Sequence, residues 1–192
     1  MICLTSTISG ISEMERVDRC ISDISKNSGT QALEELYNRT KDAVYGYALS
    51  ILKNTHDAED VLHDCYICVW NSARDYTSEG KPMAWMFSIA RNLCLMRIRG
   101  RNRFSDAPEE DWMQYLEAND SVSVDDRIVL ERCLTELSDD EREIIMLHAL
   151  TGLKHREIAE ITERPLSTVL SKYRRALKKL RGLLDEEDGN NG

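Results

Sequence analysis

The sequence lacks any run of apolar residues long enough to cross a membrane or to form the core of an export signal. It also lacks the dense cysteine framework of a small secreted domain, because its cysteines are irregularly spaced. Both absences predict a cytoplasmic protein in a reducing compartment, without membrane insertion. The six cysteines are Cys3, Cys20, Cys65, Cys68, Cys94 and Cys133.

Motifs of catalysis and of cofactor binding are absent as well. The sequence has no pairing of nucleophile and base, no phosphate-binding loop and no complete metal motif. His63, Cys65 and Cys68 have a spacing at which they can share a metal or form a redox site. Both cysteines fall on the apolar stripe of a predicted helix, however, which favours a role as small core residues. We expect a protein without enzymatic activity, metal or cofactor.

Charge is unevenly distributed along the chain. The net charge of the 192 residues is -9, and an acidic surface repels nucleic acid. Residues 104–143 contain fourteen acidic side chains against three basic ones, whereas residues 171–184 contain six basic side chains and no acidic one. The basic segment either only keeps the protein soluble or binds phosphate, and its place on a predicted recognition helix favours phosphate binding.

Helical periodicity organises the first half of the chain. Apolar residues recur at helical spacing in three successive stretches after residue 33. Thr55 is predicted to cap the second helix, Pro82 to be the first residue of the third, and Gly100 to end it. Residues 30–103 therefore predict a bundle of three to four helices.

A linker and a second helical unit follow. Residues 104–123 have no periodicity and are rich in acidic side chains, which is typical of a linker. Ser138 and Glu141 fit a capping box, and Gly152 suits the end of the helix that this box starts. Residues 124–184 predict a helix-turn-helix unit, whose last helix presents polar and basic side chains outward.

The expected fold is all-α, with two small helical domains joined by an acidic linker. No β-hairpin signal and no internal repeat is found. Residues 1–29 are expected to be an extension that is partly untranslated or disordered, with Met14 as the natural start. Residues 185–192 are expected to be a disordered tail.

Two sets of motifs resemble one known family. The second half contains Gly152-Leu153-x-x-x-Glu157-Ile158-Ala159-Glu160-Ile161 and Pro165-x-Ser167-Thr168-Val169-x-Ser171. These resemble region 4 of bacterial sigma factors. The first half contains Asp57-Ala58-Glu59-Asp60-Val61-Leu62-His63-Asp64 and Trp85-Met86-Phe87-Ser88-Ile89-Ala90-Arg91-Asn92. These resemble region 2 of the extracytoplasmic-function type (group 4), and no region 3 lies between the two.

The resemblance implies partners and site residues. It implies binding to the β and β′ subunits of core RNA polymerase, to promoter DNA and to an anti-sigma factor. The residues implied to bind core polymerase are Asp57, Glu59, Asp60, His63 and Asp64. Those implied to contact the -10 element are Tyr76, Lys81, Trp85, Ser88, Arg91, Asn92, Arg97 and Arg99. Those implied to contact the -35 element are Ser167, Thr168, Ser171, Lys172, Arg174, Arg175 and Lys178.

Three functions are compatible with these patterns to different extents. The first is a sigma factor that directs promoter-specific transcription initiation. The second is a stand-alone helix-turn-helix regulator, which leaves the motifs between Asp57 and Asn92 without a purpose. The third is an enzyme or a metal-dependent sensor, for which no complete motif is present. We expect the first.

Overall fold

In a computed structural model, the described residues are 12–26, 29–101 and 135–190, with side chains up to residue 183. The predicted acidic linker and the first residues of the predicted second domain, 124–134, lie outside these ranges. The described ranges contain no strand, which confirms the all-α fold class. Their helices are α1 (Glu13–Ile24), α2 (Gly29–Leu52), α3 (Thr55–Ser72), α4 (Pro82–Arg101), α5 (Asp139–Thr151), α6 (His155–Thr162) and α7 (Leu166–Asn190).

Helix α1 corrects the expectation of a disordered extension from residue 12 onward. Ser12 caps the helix, because its hydroxyl accepts a hydrogen bond from the Glu15 amide at 3.3 Å and the Glu15 carboxylate accepts one from the Ser12 amide at 2.7 Å. Its apolar residues recur at i, i+3, i+4 and i+7 and are buried against the other helices of the first domain. The proposed start at Met14 stays a prediction. The buried residues are Val17, Cys20, Ile21 and Ile24.

Helices α2, α3 and α4 complete the first bundle. Asn54, rather than Thr55, caps α3, because the Asn54 side-chain oxygen accepts a hydrogen bond from the Asp57 amide at 2.8 Å. Pro82 is the first residue of α4, as predicted. The prediction that Gly100 ends this helix is wrong, since α4 continues to Arg101.

Helices α5, α6 and α7 form the helix-turn-helix unit. The capping box at the start of α5 is confirmed, with Ser138 and Glu141 exchanging hydrogen bonds of 3.1 and 3.4 Å. Gly152 ends α5 at a φ of 69°, the left-handed conformation that glycine adopts most easily. The backbone of α7 is helical to Asn190, so most of the predicted disordered tail is helical.

The two units are packed against each other. Helix α5 lies on α2, and α6 lies on α4. Buried apolar residues of both units belong to one continuous core, which includes Tyr47 and Phe87 of the first and Ile144 and Leu147 of the second. No described helix is long and apolar enough to span a bilayer.

Candidate functional site

The first surface is the acidic face of α3. Glu59 and His63 are exposed and point away from the bundle. Asp60 and Asp64 are half-buried, and the side chain of Asp57 is only 16% exposed. The residues implied to bind polymerase therefore share one face of one helix, but they differ in how much of each side chain a partner can reach.

Arg97 of α4 lies on this acidic face. Its guanidinium is 2.9 Å from Asp60, 3.3 Å from Asp64 and 3.7 Å from Asp57. Asp57 also pairs with Arg101. The structure thus joins Arg97, predicted to contact DNA, to the residues predicted to contact polymerase, because α3 and α4 pack side by side.

Two large apolar side chains extend the same face of α3. Ile67 is 58% exposed and Trp70 is 43% exposed. They follow His63 at i+4 and i+7, a spacing that keeps all three on one side of the helix. Helical phase could have identified them from the sequence, because the buried stripe of α3 runs through Val61, Cys65 and other residues. Neighbouring exposed apolar side chains are typical of a binding surface.

The second surface is a cleft beside the start of α4. Tyr76 and Trp85 form its aromatic wall, with ring centroids 4.8 Å apart and planes inclined by 52°. The cleft has a volume of about 400 Å³, and Lys81 contributes a cation to its lining. The structure therefore brings Tyr76, Lys81 and Trp85 together in one cleft.

Along α4 beyond the cleft, the remaining residues implied to contact the -10 element differ in exposure. Asn92 and Arg99 are exposed. Ser88 is half-buried and donates a hydrogen bond to the Trp85 carbonyl at 2.7 Å. The side chain of Arg91 is only 12% exposed. Two of these four residues are therefore open to a partner in the packed structure, and the other two are not.

Carboxylates of the second unit hold two of the cations implied to contact the -10 element. Arg91 donates to Glu143 of α5 at 2.8 Å, and Lys81 lies 3.3 Å from Glu160 of α6. Glu160 also lines the cleft. In this packing, carboxylates of the helix-turn-helix unit therefore form ion pairs with two cationic side chains of the first unit.

Glu143 is the centre of the contact between the two units. Its side chain is 9% exposed and also accepts hydrogen bonds from Tyr47 at 3.3 Å and from Arg164 at 2.7 Å. Burial, together with the charge of Glu143, raises the pKa of Tyr47. The phenol therefore stays protonated and is the donor of this hydrogen bond. Two arginines and one phenol thus satisfy a carboxylate that is otherwise costly to bury.

The third surface is the outer face of α7. Five of the residues implied to contact the -35 element are exposed, and they lie where a recognition helix presents its side chains to a groove. Thr168 is half-buried. Lys172 turns back to α5, 2.6 Å from Asp140, and this hydrogen bond lowers the pKa of that carboxyl. The exposed residues are Ser167, Ser171, Arg174, Arg175 and Lys178.

The histidine and cysteines considered for a metal do not share a site. Cys65 is completely buried, which raises the pKa of its thiol to about 12. Cys68 is half-buried and His63 is exposed. Cys65 is therefore a core residue, as predicted, whereas Cys68, predicted to be one too, is only partly covered. Among the residues that the structure describes, no three side chains of metal-binding type are grouped.

The chain matches family models in both units. Residues 36–104 match Sigma-70 region 2, and residues 127–180 match Sigma-70, region 4. These two matches cover the acidic face of α3, the cleft and the outer face of α7.

Relatives and solved structures agree with these matches. The chain is 30% identical, over 161 residues, to the ECF RNA polymerase sigma factor SigK of Mycobacterium ulcerans (strain Agy99), and to SigK of Mycobacterium tuberculosis (strain ATCC 25618 / H37Rv). Each alignment covers 80% of this chain and 86% of the relative.

Two solved structures share the fold. The sigma factor RpoE of Bartonella quintana, in complex with the anti-sigma factor NepR, has a TM-score of 0.63 at 23% identity, covering 79% of this chain and 96% of that one. CnrH, in complex with the cytosolic domain of CnrY, has a TM-score of 0.60 at 26% identity, covering 88% and 98%. With two sigma-70 regions in order and relatives of this identity, the chain belongs to the sigma-70 family of RNA polymerase sigma factors, in the extracytoplasmic-function group.

Proposed function

We propose that this sigma factor binds core RNA polymerase with the face of α3 and directs promoter-specific initiation with two DNA-binding surfaces. The -10 element binds at the cleft and α4, and the -35 element binds at α7. The observation that carries the proposal is that one chain presents an aromatic cleft as well as a basic helix-turn-helix. A stand-alone regulator needs only the second of these.

The polymerase surface is assigned to α3 because its outer face is acidic and apolar at once. Glu59 and His63 are exposed at one end, and Ile67 and Trp70 at the other. Apolar side chains at the centre of an interface supply binding energy, and charges around them supply specificity. Asp57, by contrast, supports α4 through Arg101. We propose β and β′ as the polymerase subunits contacted.

The -10 surface combines stacking with charge. Aromatic side chains hold unstacked bases with little dependence on sequence, and Tyr76 and Trp85 together form such a wall in the cleft. Asn92 and Arg99 extend the surface along α4 with a polar and a cationic side chain. Arg91 and Lys81 join it when Glu143 and Glu160 release them.

The -35 surface is a helix for the major groove. Arg174, Arg175 and Lys178 supply cations for phosphates or guanines, and Ser167 and Ser171 supply shorter hydrogen-bonding groups. Because Lys172 is engaged with Asp140, we assign it to holding α7 on α5 in addition to its implied DNA contact.

The proposed partners follow from these surfaces and from the relatives. RpoE and CnrH were solved with NepR and with the cytosolic domain of CnrY, and we propose that an anti-sigma factor also binds this chain. The proposed role requires no catalysis by the chain itself. It places the protein in the cytoplasm, where polymerase and promoter DNA are.

In vitro transcription with core polymerase and genomic DNA tests the proposal. The wild type is expected to give promoter-dependent transcripts. Glu59→Arg is expected to weaken core binding and leave binding of isolated -35 duplex unchanged. Arg174→Ala is expected to lower -35 affinity, with a salt slope smaller by about 1 for a phosphate contact, and to leave core binding unchanged.

Both substitutions change exposed side chains, so neither should unfold the protein. Arg156→Ala, an exposed arginine outside the three surfaces, is the matched control. Absence of any promoter-dependent transcript would overturn the proposed function. Equal loss of core and -35 binding in both variants would overturn the assignment of surfaces.

A further inference from the structure

We propose that Asp18 of α1 is a positioning residue for the loop at residues 75–81. It holds the loop in the shape that receives an unstacked base of the -10 element. This inference rests on the proposed function of the cleft. It gives α1, which lies outside both matched regions, a part in promoter opening.

Asp18 binds the loop with both of its carboxylate oxygens. The Tyr76 hydroxyl donates to one oxygen at 2.6 Å, and the Ser78 hydroxyl donates to the other at 2.8 Å. These partners are 58 and 60 residues away in sequence. One side chain of a helix thus holds two loop residues, Tyr76 and Ser78, that are two positions apart. Hydrogen bonds to an ionised carboxylate are stronger than those between neutral groups.

Asp18 itself is held in a rigid place. Its neighbour Val17 is 2% exposed, and the apolar side of α1 is anchored in the core. Asp18 is half-buried at the edge of this anchored side. A group mounted on a packed helix positions its partners better than a group on a loop.

The consequence for the cleft comes through the ring of Tyr76. The hydroxyl of Tyr76 is held by Asp18, and its ring contacts the Trp85 ring at an inclination of 52°. Together these two contacts leave the ring little freedom to rotate. Gly80, at a φ of 72°, then turns the chain toward Lys81 and the start of α4. The aromatic wall therefore exists before DNA arrives. Base capture then does not have to include the free-energy cost of ordering the wall.

The loop's other residues show why this anchor matters. Thr77, Ser78 and Glu79 are exposed, so burial alone does not define their conformation. The Asp75 amide donates to the Ser72 carbonyl at 3.0 Å, which fixes only the beginning of the segment. Asp18 supplies the constraint at its centre.

The test is open-complex formation by holoenzyme carrying Asp18→Ala or Asp18→Asn. The probe is a promoter found by sequencing transcripts made on genomic DNA, with 2-aminopurine in place of single adenines of the -10 non-template strand. Unstacking of the captured base then appears as a rise in fluorescence. Glu13→Gln is the control, because Glu13 is a carboxylate of the same helix that pairs with Arg39 of α2 at 2.9 Å instead of with the loop.

We expect Asp18→Ala to slow base unstacking about tenfold or more, the size expected for lost hydrogen bonds to a charged group. Asp18→Asn should fall between Asp18→Ala and the wild type, and Glu13→Gln should match the wild type. On a promoter that carries an abasic nucleotide at the captured position and 2-aminopurine at a neighbouring adenine, wild type and Asp18→Ala should become equal, since neither has a base to capture. A merely structural role for Asp18 does not predict this equality.

The remaining outcomes separate the inference from the proposal beneath it. Wild-type unstacking kinetics in Asp18→Ala overturn the inference. So does an equal loss on intact and abasic promoters, or a loss of core binding, because the residue then acts on the fold as a whole. If the wild type itself does not distinguish intact from abasic promoters, the proposed function of the cleft fails instead.

Discussion

A ring cluster in the helix-turn-helix unit shows how one residue can make the fold depend on pH. His148 and His155 stack with ring centroids 5.1 Å apart, and the Tyr173 ring meets both of them edge-on. His148 Nδ1 is 2.8 Å from the Leu153 carbonyl oxygen, whereas His155 Nε2 is buried with no hydrogen-bond partner. Burial, and then the neighbouring His148, lower the pKa of His155.

The sign of the pH effect follows from this lowered pKa. The unfolded chain takes up a proton near the ordinary histidine pKa of about 6.5, before the folded chain does. The contribution of His155 to the free energy of unfolding is therefore constant above that pH and decreases as pH falls from there to the lower folded-state pKa. We expect the thermal midpoint to fall over this window in the wild type and to fall less in His155→Gln.

Thermal unfolding of the two proteins at pH 7.5 and pH 5.5 measures the difference. His56→Gln, which changes an exposed histidine of α3, is the control and should keep the wild-type pH dependence. If His155→Gln keeps it too, the ring cluster is not the source of the pH effect.

At the scale of elements, the ends of α5 and α6 both use the left-handed conformation. Gly152 has a φ of 69°, and Glu163 has a φ of 54°. At Gly152 an added Cβ would meet no atom within 4 Å, so only backbone strain opposes a side chain there. At Glu163 the chain tolerates that strain, since α6 ends with two backbone hydrogen bonds from the residue's own amide.

We expect Gly152→Ala to destabilise the protein by about 1 kcal/mol, the usual cost of the left-handed region for a residue with a Cβ. Gly182→Ala is the matched control. Gly182 lies in α7 with open space around it and no positive φ, so alanine should stabilise the helix by about 0.5–1 kcal/mol. Chemical denaturation of both variants measures these changes. If both substitutions changed the free energy of unfolding in the same direction, the explanation by backbone strain would be contradicted.

At the scale of the whole molecule, the main finding is that carboxylates of the helix-turn-helix unit engage cationic side chains of the first unit. Arg91 and Lys81 cannot hold DNA phosphates while they hold Glu143 and Glu160, because these are the same donor groups. Carboxylates of the second unit thus pair with two cations of the first that we propose for the -10 element.

Removing the central carboxylate should shift the molecule toward separated units. Breaking a buried ion pair on one side leaves an uncompensated charge, at a cost of about 3–5 kcal/mol in other proteins. We expect Glu143→Gln to increase the radius of gyration in X-ray scattering and to raise the affinity for single-stranded -10 oligonucleotide. Asp139→Asn, an exposed carboxylate of the same helix that pairs with Arg142, is the control. An unchanged radius and affinity would show that Glu143 does not hold the units together.

Local signals made much of this structure predictable. Helix ends depend on residues near each other in sequence, so the sequence pattern alone predicts them. Examples are the capping box of Ser138 and Glu141, Pro82 at the start of α4 and Gly152 at the end of α5. The family motifs are local for the same reason. Helix α1 was not predicted although its apolar period is clear, because its capping residue, Ser12, lies before the predicted start at Met14.

The pairings between distant residues could not be predicted in this way. Arg97 meets Asp64 across 33 residues, Arg91 meets Glu143 across 52, and Tyr76 meets Asp18 across 58. Periodicity shows which face of a helix is apolar, but it does not show which helix covers that face. Secondary structure and family are thus readable from neighbouring residues, whereas only packing decides which charges are paired, because each pairing depends on how separate helices meet.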